Sequence, residues 1–175
     1  MAAWDDPGVD WGAFDAVFVR STWNYHHRLE DFLRWVDAVG AGVPLWNPPA
    51  VIRWNAHKGY LLDLAARGVN VVPTTLVRRG EGADLAGALA THGELVLKPA
   101  WSAGSYATVR VRDEATGRAH LARWGGERDF LIQPYLSSVE DPGERCLVYF
   151  DDVFAHAVRK QPRFADGVEG TAPVV

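Results

Sequence analysis

The apolar positions near the start of the chain predict one strand and one helix. Residues 14–19 (FDAVFV) form a short apolar run that is typical of a buried strand. In residues 29–39, apolar side chains recur three and four positions apart with charged residues between them, which predicts an amphipathic helix ended by Gly40 and Gly42. A strand followed by a helix suggests the tail of a parallel α/β unit.

A second helix is predicted after the proline-rich stretch VPLWNPP, whose prolines disfavour helix in the residues before them. Asn55 is a suitable N-cap for a helix that runs to Ala66, with Gly68 at its end. Lys58 lies on this predicted helix. The predicted inward positions are Tyr60, Leu61, Leu64 and Ala65.

From residue 69 onward the pattern becomes rich in strands. The predicted strands are VNVVPTTLV, ELVLKP, YATVRVR and DFLIQPYL, and the predicted helices cover residues 83–92 and 115–124. RCLVYF and FAHAVRK predict a hairpin around Asp151 and Asp152, which suit a turn better than a carboxylate pair. The fold class predicted is therefore α+β, with an α/β N-terminal part and a mainly antiparallel sheet in the second half.

Composition and charge limit the function classes. The 175 residues are 48% hydrophobic, enough for one domain or two small lobes. A net charge of -4, without a Lys/Arg run, argues against a nucleic-acid partner. No apolar run approaches the roughly 20 residues that a membrane span needs, and the single cysteine, Cys146, excludes an intrachain disulfide. We expect a cytoplasmic protein without a membrane partner, and the pattern carries no signal for an oligomeric state.

Lysine is rare in this chain. Fifteen of the eighteen basic residues are arginine, and the three lysines are Lys58, Lys98 and Lys160. An ammonium suits a point contact to one phosphate oxygen better than the wide guanidinium fork does, although chance survival of surface lysines is the alternative. Lys98 precedes a loop with Gly104 and Ser105, whose small residues let backbone amides cover an anion. An ordinary hairpin is the alternative for this loop.

The order of these pieces resembles the ATP-grasp ligases, in the prokaryotic glutathione synthetase-like branch that includes the cycloserine-forming ligase. The matching pieces are RSTWNYH, WNAHKGYLLDLAARGVNVVPT, LVLKPAWSAGS, IQPYL and LVYFDDVFAHAVRKQP, within residues 10–162. The resemblance implies an incomplete ATP-grasp fold with two small lobes. Residues 1–46 are then the remnant of an N-terminal α/β substrate domain, and residues 47–175 the ATP-grasp region, with a flap-bearing lobe at 94–136 and the start of a second lobe at 137–175.

The resemblance also implies roles for individual residues. Lys58 and Lys98 are implied to contact the ATP phosphates, and Gly104 and Ser105 belong to the flap that covers them. The implied adenine-binding segment contains Gln133, Tyr135 and Leu136. In this segment the backbone groups of Tyr135 and Leu136 are implied to bind adenine. The implied catalytic residues are Arg145 and Lys160, beside the transferred phosphate. The resemblance also implies that either Ser138 or Glu140 contacts the ribose. Arg20, Ser21 and Thr22 follow the first predicted strand and are candidates for the substrate side, because α/β sheets bind ligands at that end; an arginine paired to a helix end is the alternative.

The function implied by the resemblance is ATP-dependent ligation of a small carboxylate to an amine through an acyl-phosphate, with Mg²⁺. No metal ligand is implied within this chain, since the family's acidic magnesium ligands lie downstream of residue 175. The family also has a strand and a helix before VDWGAFDAVFV, so we expect a fragment that lacks both ends and is weak or inactive as a ligase. The alternatives are a nucleotide-binding module without ligase activity and an unrelated α+β binding protein.

Histidines and tryptophans carry weaker expectations. The adjacent His26 and His27 are expected to point apart at a solvated helix start, which would exclude a shared metal. His57 and His156 are expected to pack beside their lysine neighbours. The tryptophans are expected to be mostly core, with Trp101 in the flap as the exception.

Overall fold

A computed structural model describes residues 1–141 and 143–160, without the side chain of Lys160. The predicted tail of the second lobe, residues 161–175, and the proposed role of the Lys160 side chain lie outside the described residues. No helix of the described part is both long enough and apolar enough to cross a membrane.

The first part of the chain is a small parallel α/β unit, as predicted. Strand β1 (Val17–Phe18) pairs in parallel with β2 (Leu45–Trp46), and helix α1 (Leu29–Gly42) connects them. The strand is shorter than the predicted run of residues 14–19. The core of this unit consists of Trp4, Val17, Phe32, Val36, Val39, Val43 and Leu45.

The tryptophans are less buried than expected. Trp4 is 7% exposed and packs edge-on against Phe32, with ring centroids 5.3 Å apart. By contrast, Trp23, Trp46 and Trp54 are 69%, 57% and 41% exposed. The prediction of core tryptophans is therefore wrong for these three, whereas Trp11, Trp35 and Trp124 pack partly buried against the two cores. Trp46 lies on the face of the β1–β2 pair opposite the core.

Helix α1 passes through Gly40 and ends at Gly42, the second of the two glycines predicted to stop it. A Cβ atom at Gly40 would lie 2.6 Å from Cγ of Pro49, at the start of the next helix. Gly40 is thus a point of close helix contact rather than a stop. The helix ends where Val43 becomes extended, with φ -135° and ψ 141°.

The predicted single helix from Asn55 to Ala66 is two helices. Helix α2 (Pro49–Ala56) contains Asn55, so this residue is not an N-cap, and α3 (Tyr60–Ala66) follows after a break that contains Lys58. The Lys58 backbone N–H donates to the carbonyl of Ala100 at 2.7 Å instead of to a helical carbonyl. A tertiary contact therefore replaces the helical hydrogen bond. Tyr60, Leu61 and Leu64 are partly buried as expected, and Ala65 is exposed.

The second part has a four-stranded sheet covered on one face by two helices. The elements are β3 (Thr75–Val77), α4 (Leu85–His92), β4 (Leu95–Pro99), β5 (Val109–Val111), α5 (Glu114–Trp124) and β6 (Phe130–Pro134). The strand order is β3-β6-β4-β5 and every pairing is antiparallel, as predicted. Asp84 and Asp113 cap the two helices, accepting from Gly87 N–H at 2.9 Å and Thr116 N–H at 2.8 Å.

A separate hairpin ends the described residues. Strand β7 (Glu144–Phe150) pairs with β8 (Val153–Lys160), and Asp151 and Asp152 form the turn with φ 48° and 62°. Two consecutive positive φ angles are the geometry of a type I′ turn, so these aspartates are turn residues as predicted. The division of the chain at residue 46 stays a prediction.

Candidate functional site

Lys98 lies on the sheet face that α4 and α5 leave uncovered. In β4, Leu95, Leu97 and Pro99 are buried, while Val96 and Lys98 between them are partly buried. Lys98 is opposite Leu131 of β6, and Val96 is opposite both Gln133 and Arg110. Because directly opposed residues share a face, Lys98, Gln133 and Arg110 lie on the same side of the sheet.

Lys58 reaches the same region from the break between α2 and α3. Its Nζ donates to the carbonyl of Ser102 at 2.9 Å and contacts the Ser102 hydroxyl at 3.3 Å. Burial lowers the pKa of Lys58 to about 8, and the positive charge of Lys98 adds to this effect. Burial also lowers the pKa of Lys98. The Lys58 contacts with Ala100 and Ser102 place it beside the chain that directly follows Lys98, and within the described residues neither ammonium forms an ion pair with a carboxylate.

The loop after Lys98 has an unusual backbone. Gly104, Ser105 and Ala107 have φ 59°, 65° and 49°. A left-handed conformation in Ser105 and Ala107 costs free energy, so surrounding contacts must hold it. The Tyr106 ring supplies such contacts, packing 5.3 Å from both His26 and His27, 5.6 Å from Trp124 and 5.1 Å from the Arg128 guanidinium.

The expectation that His26 and His27 point apart is wrong, and so is the expectation that His26 is solvated, whereas His27 is exposed as expected. Their rings are 3.9 Å apart, and His26 is 3% exposed rather than solvated. The two residues lie on a 3-10 turn, Tyr25–His27, against which Tyr106 packs. Burial lowers the pKa of His26 to about 4, with smaller effects from the charges of His27, Arg128 and Lys58. His26 is therefore a neutral ring inside the protein near pH 7.

The predicted adenine segment leaves the sheet at the end of β6. Gln133 is 6% exposed, and its Nε2 donates to the Thr74 hydroxyl at 2.7 Å, so its side chain joins β6 to the start of β3. The backbone N–H of Tyr135 donates to the carbonyl of Glu94 at 2.9 Å. Leu136 is 42% exposed. The predicted adenine contact, through the backbone groups of Tyr135 and Leu136, stays a prediction.

Asp129 is a supporting residue that sequence reasoning missed. It is 9% exposed and accepts from the Arg79 backbone N–H at 2.8 Å and from the Arg78 guanidinium at 2.9 Å, with His57 Nε2 3.3 Å away. Burial raises the pKa of this carboxyl, but these hydrogen bonds outweigh burial and leave the pKa below its usual value. Its carbonyl also accepts from the Ala100 N–H at 2.8 Å. In the sequence, the signal that could have identified Asp129 is its position directly before the buried run FLIQP.

The candidate substrate residues line a cavity in the first part of the chain. Arg20, Ser21 and Thr22 follow β1, and with Trp4 and Trp35 they border a cavity of about 750 Å³. The structure thus brings the three residues to the carboxyl end of a parallel strand. Their role as substrate ligands stays a prediction.

The candidate catalytic residues lie on the exposed hairpin. Arg145 of β7 is opposite Arg159 and is exposed, and Lys160 is opposite Glu144. The side chain of Arg145 makes no hydrogen bond or ion pair with another described residue. The structure therefore does not join it to Lys58 or Lys98. The hairpin also exposes the apolar side chains of Leu147, Tyr149, Phe150, Val153, Phe154 and Val158.

The described ranges contain no group of three or more His, Cys, Asp or Glu side chains arranged to hold a metal ion. His57 instead packs against Trp101, with ring centroids 5.5 Å apart, and its Nδ1 accepts from the Gly59 N–H at 3.0 Å. The position of the magnesium ligands stays a prediction.

Comparison with known proteins gives consistent matches. A family profile for the N-terminal domain of D-cycloserine synthetase DcsG matches residues 1–47. Cycloserine biosynthesis protein DcsG of Streptomyces lavendulae is 37% identical over 165 residues, which are 90% of this chain and 55% of the relative. This chain thus spans about half the length of that relative.

Solved structures show the same relationship. The crystal structure of D-cycloserine synthetase DcsG matches with a TM-score of 0.84 and 36% identity, over 91% of this chain and 57% of that chain. A RimK domain ATP-grasp protein from Sphaerobacter thermophilus matches with a TM-score of 0.50 and 25% identity, over 70% of this chain and 46% of that chain.

Proposed function

Because this chain belongs to the ATP-grasp ligase superfamily, in the branch that contains D-cycloserine synthetase, we propose that it binds ATP in an ATP-dependent ligase that joins a small carboxylate to an amine. The observation that carries this proposal is the convergence of Lys58 and Lys98 on one side of the sheet without a described carboxylate partner. Buried cations are unfavourable unless an anion compensates them. The phosphates of ATP supply that charge.

The chain's own residues position the nucleotide. Lys58 and Lys98 contact phosphate oxygens, and the backbone amides at Gly104 and Ser105 cover them. The carbonyl of Tyr135 and the N–H of Leu136 bind the adenine edge. ATP supplies the phosphoryl group that activates the carboxylate, and the reaction depends on positioning and charge neutralisation rather than on a covalent enzyme group.

The acceptor side is the cavity beside β1. Arg20 offers a fork of donors to a substrate carboxylate, and Ser21 and Thr22 offer hydroxyls. In the complete reaction an acyl-phosphate forms and the amine displaces phosphate, which makes a C–N bond. Arg145 and Lys160 are proposed to stabilise the transferred group. The cytoplasmic location stays a prediction.

A second candidate is nucleotide binding without ligation. This candidate is favoured by the position of Arg145, whose side chain is exposed on the hairpin and has no described polar partner. Phosphate release on addition of ATP with carboxylate and amine substrates separates the two functions, since the binding module releases none.

The first test is the melting temperature of the 175-residue chain with ATP and with GTP, each with and without Mg²⁺. A ligand that binds only the native state stabilises it by about 2.7 kcal/mol at a hundredfold excess over its Kd. We expect a shift that is larger with ATP than with GTP. A cooperative transition that ATP does not move would contradict nucleotide binding by this chain.

A further inference from the structure

Arg110 connects three groups around the segment that leaves β6. Its side chain is 13% exposed and lies on the same sheet face as Lys98. Nε donates to Glu94 at 2.6 Å, and NH1 donates to Glu140 at 2.9 Å. The guanidinium carbon lies 3.6 Å from the centre of the Tyr135 ring. One largely buried arginine thus contacts a carboxylate before β4, a carboxylate after β6 and the aromatic ring of Tyr135.

Together with the hydrogen bonds of Tyr135, these contacts form a closed network. The carbonyl of Glu94 accepts the Tyr135 backbone N–H at 2.9 Å, and the Tyr135 hydroxyl donates to the same Glu140 oxygen that Arg110 contacts. Tyr135 is therefore held at its backbone, its ring and its hydroxyl. Because Glu94 and Glu140 neutralise the guanidinium, Arg110 contributes order to this segment rather than net positive charge.

We propose that Arg110 is a positioning residue for the base end of the nucleotide site, and this inference rests on the proposed ATP binding. By fixing the Tyr135 ring, Arg110 sets the direction of the Tyr135 carbonyl and of the Leu136 N–H that follows it. Leu136 is 42% exposed, so burial of its own side chain holds it only in part. Without Arg110, ordering this segment costs conformational entropy when the base binds.

According to this proposal, Arg110 and the two lysines affect different parts of the bound nucleotide. Arg110 acts on the adenine contact, whereas Lys58 and Lys98 act on the phosphates. The probes are therefore ATP and inorganic tripolyphosphate, which carries the phosphates without a base. A merely structural role of Arg110 would lower the affinity for both probes together.

The experiment is calorimetric titration of both probes into the wild-type chain, Arg110→Met, Arg112→Met and Lys98→Met. Arg112 is the matched control, because it lies on the same segment and its Nε also donates to Glu94, at 3.1 Å. We expect Arg110→Met to weaken ATP binding about tenfold, because the Tyr135–Leu136 segment must then be ordered when the base binds, and to leave tripolyphosphate binding unchanged. Arg112→Met changes neither affinity, and Lys98→Met weakens both.

Tyr135→Phe is a second variant with little risk to folding, since it keeps the ring over Arg110 and removes only the hydroxyl bond to Glu140. We expect it to weaken ATP binding about threefold without affecting tripolyphosphate. Unchanged ATP affinity in both variants, or an equal loss for both probes, would overturn the role of Arg110 while ATP binding stands. A wild-type chain that binds neither probe would overturn the proposed function and this inference with it.

Discussion

The Lys58 ammonium donates a hydrogen bond to the Ser102 carbonyl at 2.9 Å, across 44 residues of sequence. This contact ties the break between α2 and α3 to the loop that follows Lys98. A phosphate oxygen carries more negative charge than a carbonyl and is therefore a stronger partner for the same ammonium. Nucleotide binding and the position of this loop are thus linked through one side chain.

Replacing Lys98 tests the phosphate site directly. Lys98→Met keeps the length of the side chain and removes its charge, so we expect ATP affinity to fall about a hundredfold, as for other preorganised charged donors, which is about 3 kcal/mol. The measurement is calorimetric titration. Arg67→Gln, an exposed residue after α3, makes the same change in net charge and serves as control. Equal ATP affinity in the wild-type chain and in Lys98→Met would contradict the site.

Lys58 predicts a pH dependence of stability. Its pKa is about 8 in the folded chain against 10.5 ordinarily, so between these values the unfolded chain binds more protons and this residue adds stability as pH rises. Relative to Lys58→Met, the wild-type chain should gain about 2 kcal/mol of unfolding free energy between pH 7.5 and 9.5. Denaturant titration at several pH values measures the difference. A difference that stays constant would show that the ammonium is solvated.

The same residue predicts a pH dependence of binding. Lys58 loses its proton above pH 8 in the unliganded chain, so ATP affinity should decline over that range, because the phosphates favour the charged ammonium. In Lys58→Met the affinity is lower at pH 7 and the decline is absent. An identical pH profile in the variant would assign the decline to another group.

His26 predicts that stability also depends on pH in the acidic range. Its pKa is about 4 in the folded chain against 6.5 ordinarily, because the ring is buried against Tyr106, beside His27, Arg128 and Lys58. The unfolded chain binds more protons between these values, so stability falls as pH falls from 6.5 to 4, by about 3 kcal/mol from this residue. His26→Phe should lessen that fall, and denaturant titration measures it. His92→Phe, at an exposed position of α4, should retain the wild-type dependence.

Two glycines of α1 predict opposite effects of the same substitution. Gly40→Ala places a Cβ 2.6 Å from the Pro49 ring, so we expect a loss of about 1–3 kcal/mol from overpacking. Gly42→Ala meets nothing within 4 Å and should be neutral or stabilising, since alanine favours helix by up to about 1 kcal/mol. Thermal unfolding of both variants measures the contrast. Equal melting temperatures would mean that α2 moves away at no cost.

Local patterns were sufficient for several elements. Helices α4 and α5 were predicted within two residues, and the turn at Asp151 and Asp152 was correct, because caps, periodicity and turn residues act between near neighbours. The scarcity of lysine was enough to single out Lys58 and Lys98. Whether they bind phosphates stays a prediction, but the structure does bring them together.

Periodicity was insufficient wherever a distant group decided the conformation. It predicted one helix through Lys58, whose N–H is taken by Ala100, and it predicted a solvated His26, which Tyr106 covers. The Asp129 contact with His57 spans 72 residues, and no local signal specifies it.

The amino-acid sequence by itself determined helices α1, α4 and α5, the approximate positions of the antiparallel strands and the residue types available for an anion site. Only the tertiary structure decided that α2 and α3 are separate, that Lys58 and Lys98 meet without a described carboxylate, and that Arg110 holds Tyr135. A tertiary hydrogen bond or the burial of a side chain contributes a free energy comparable to the helix propensity of a residue. A partner that folding brings close can therefore override the local preference at each of these residues.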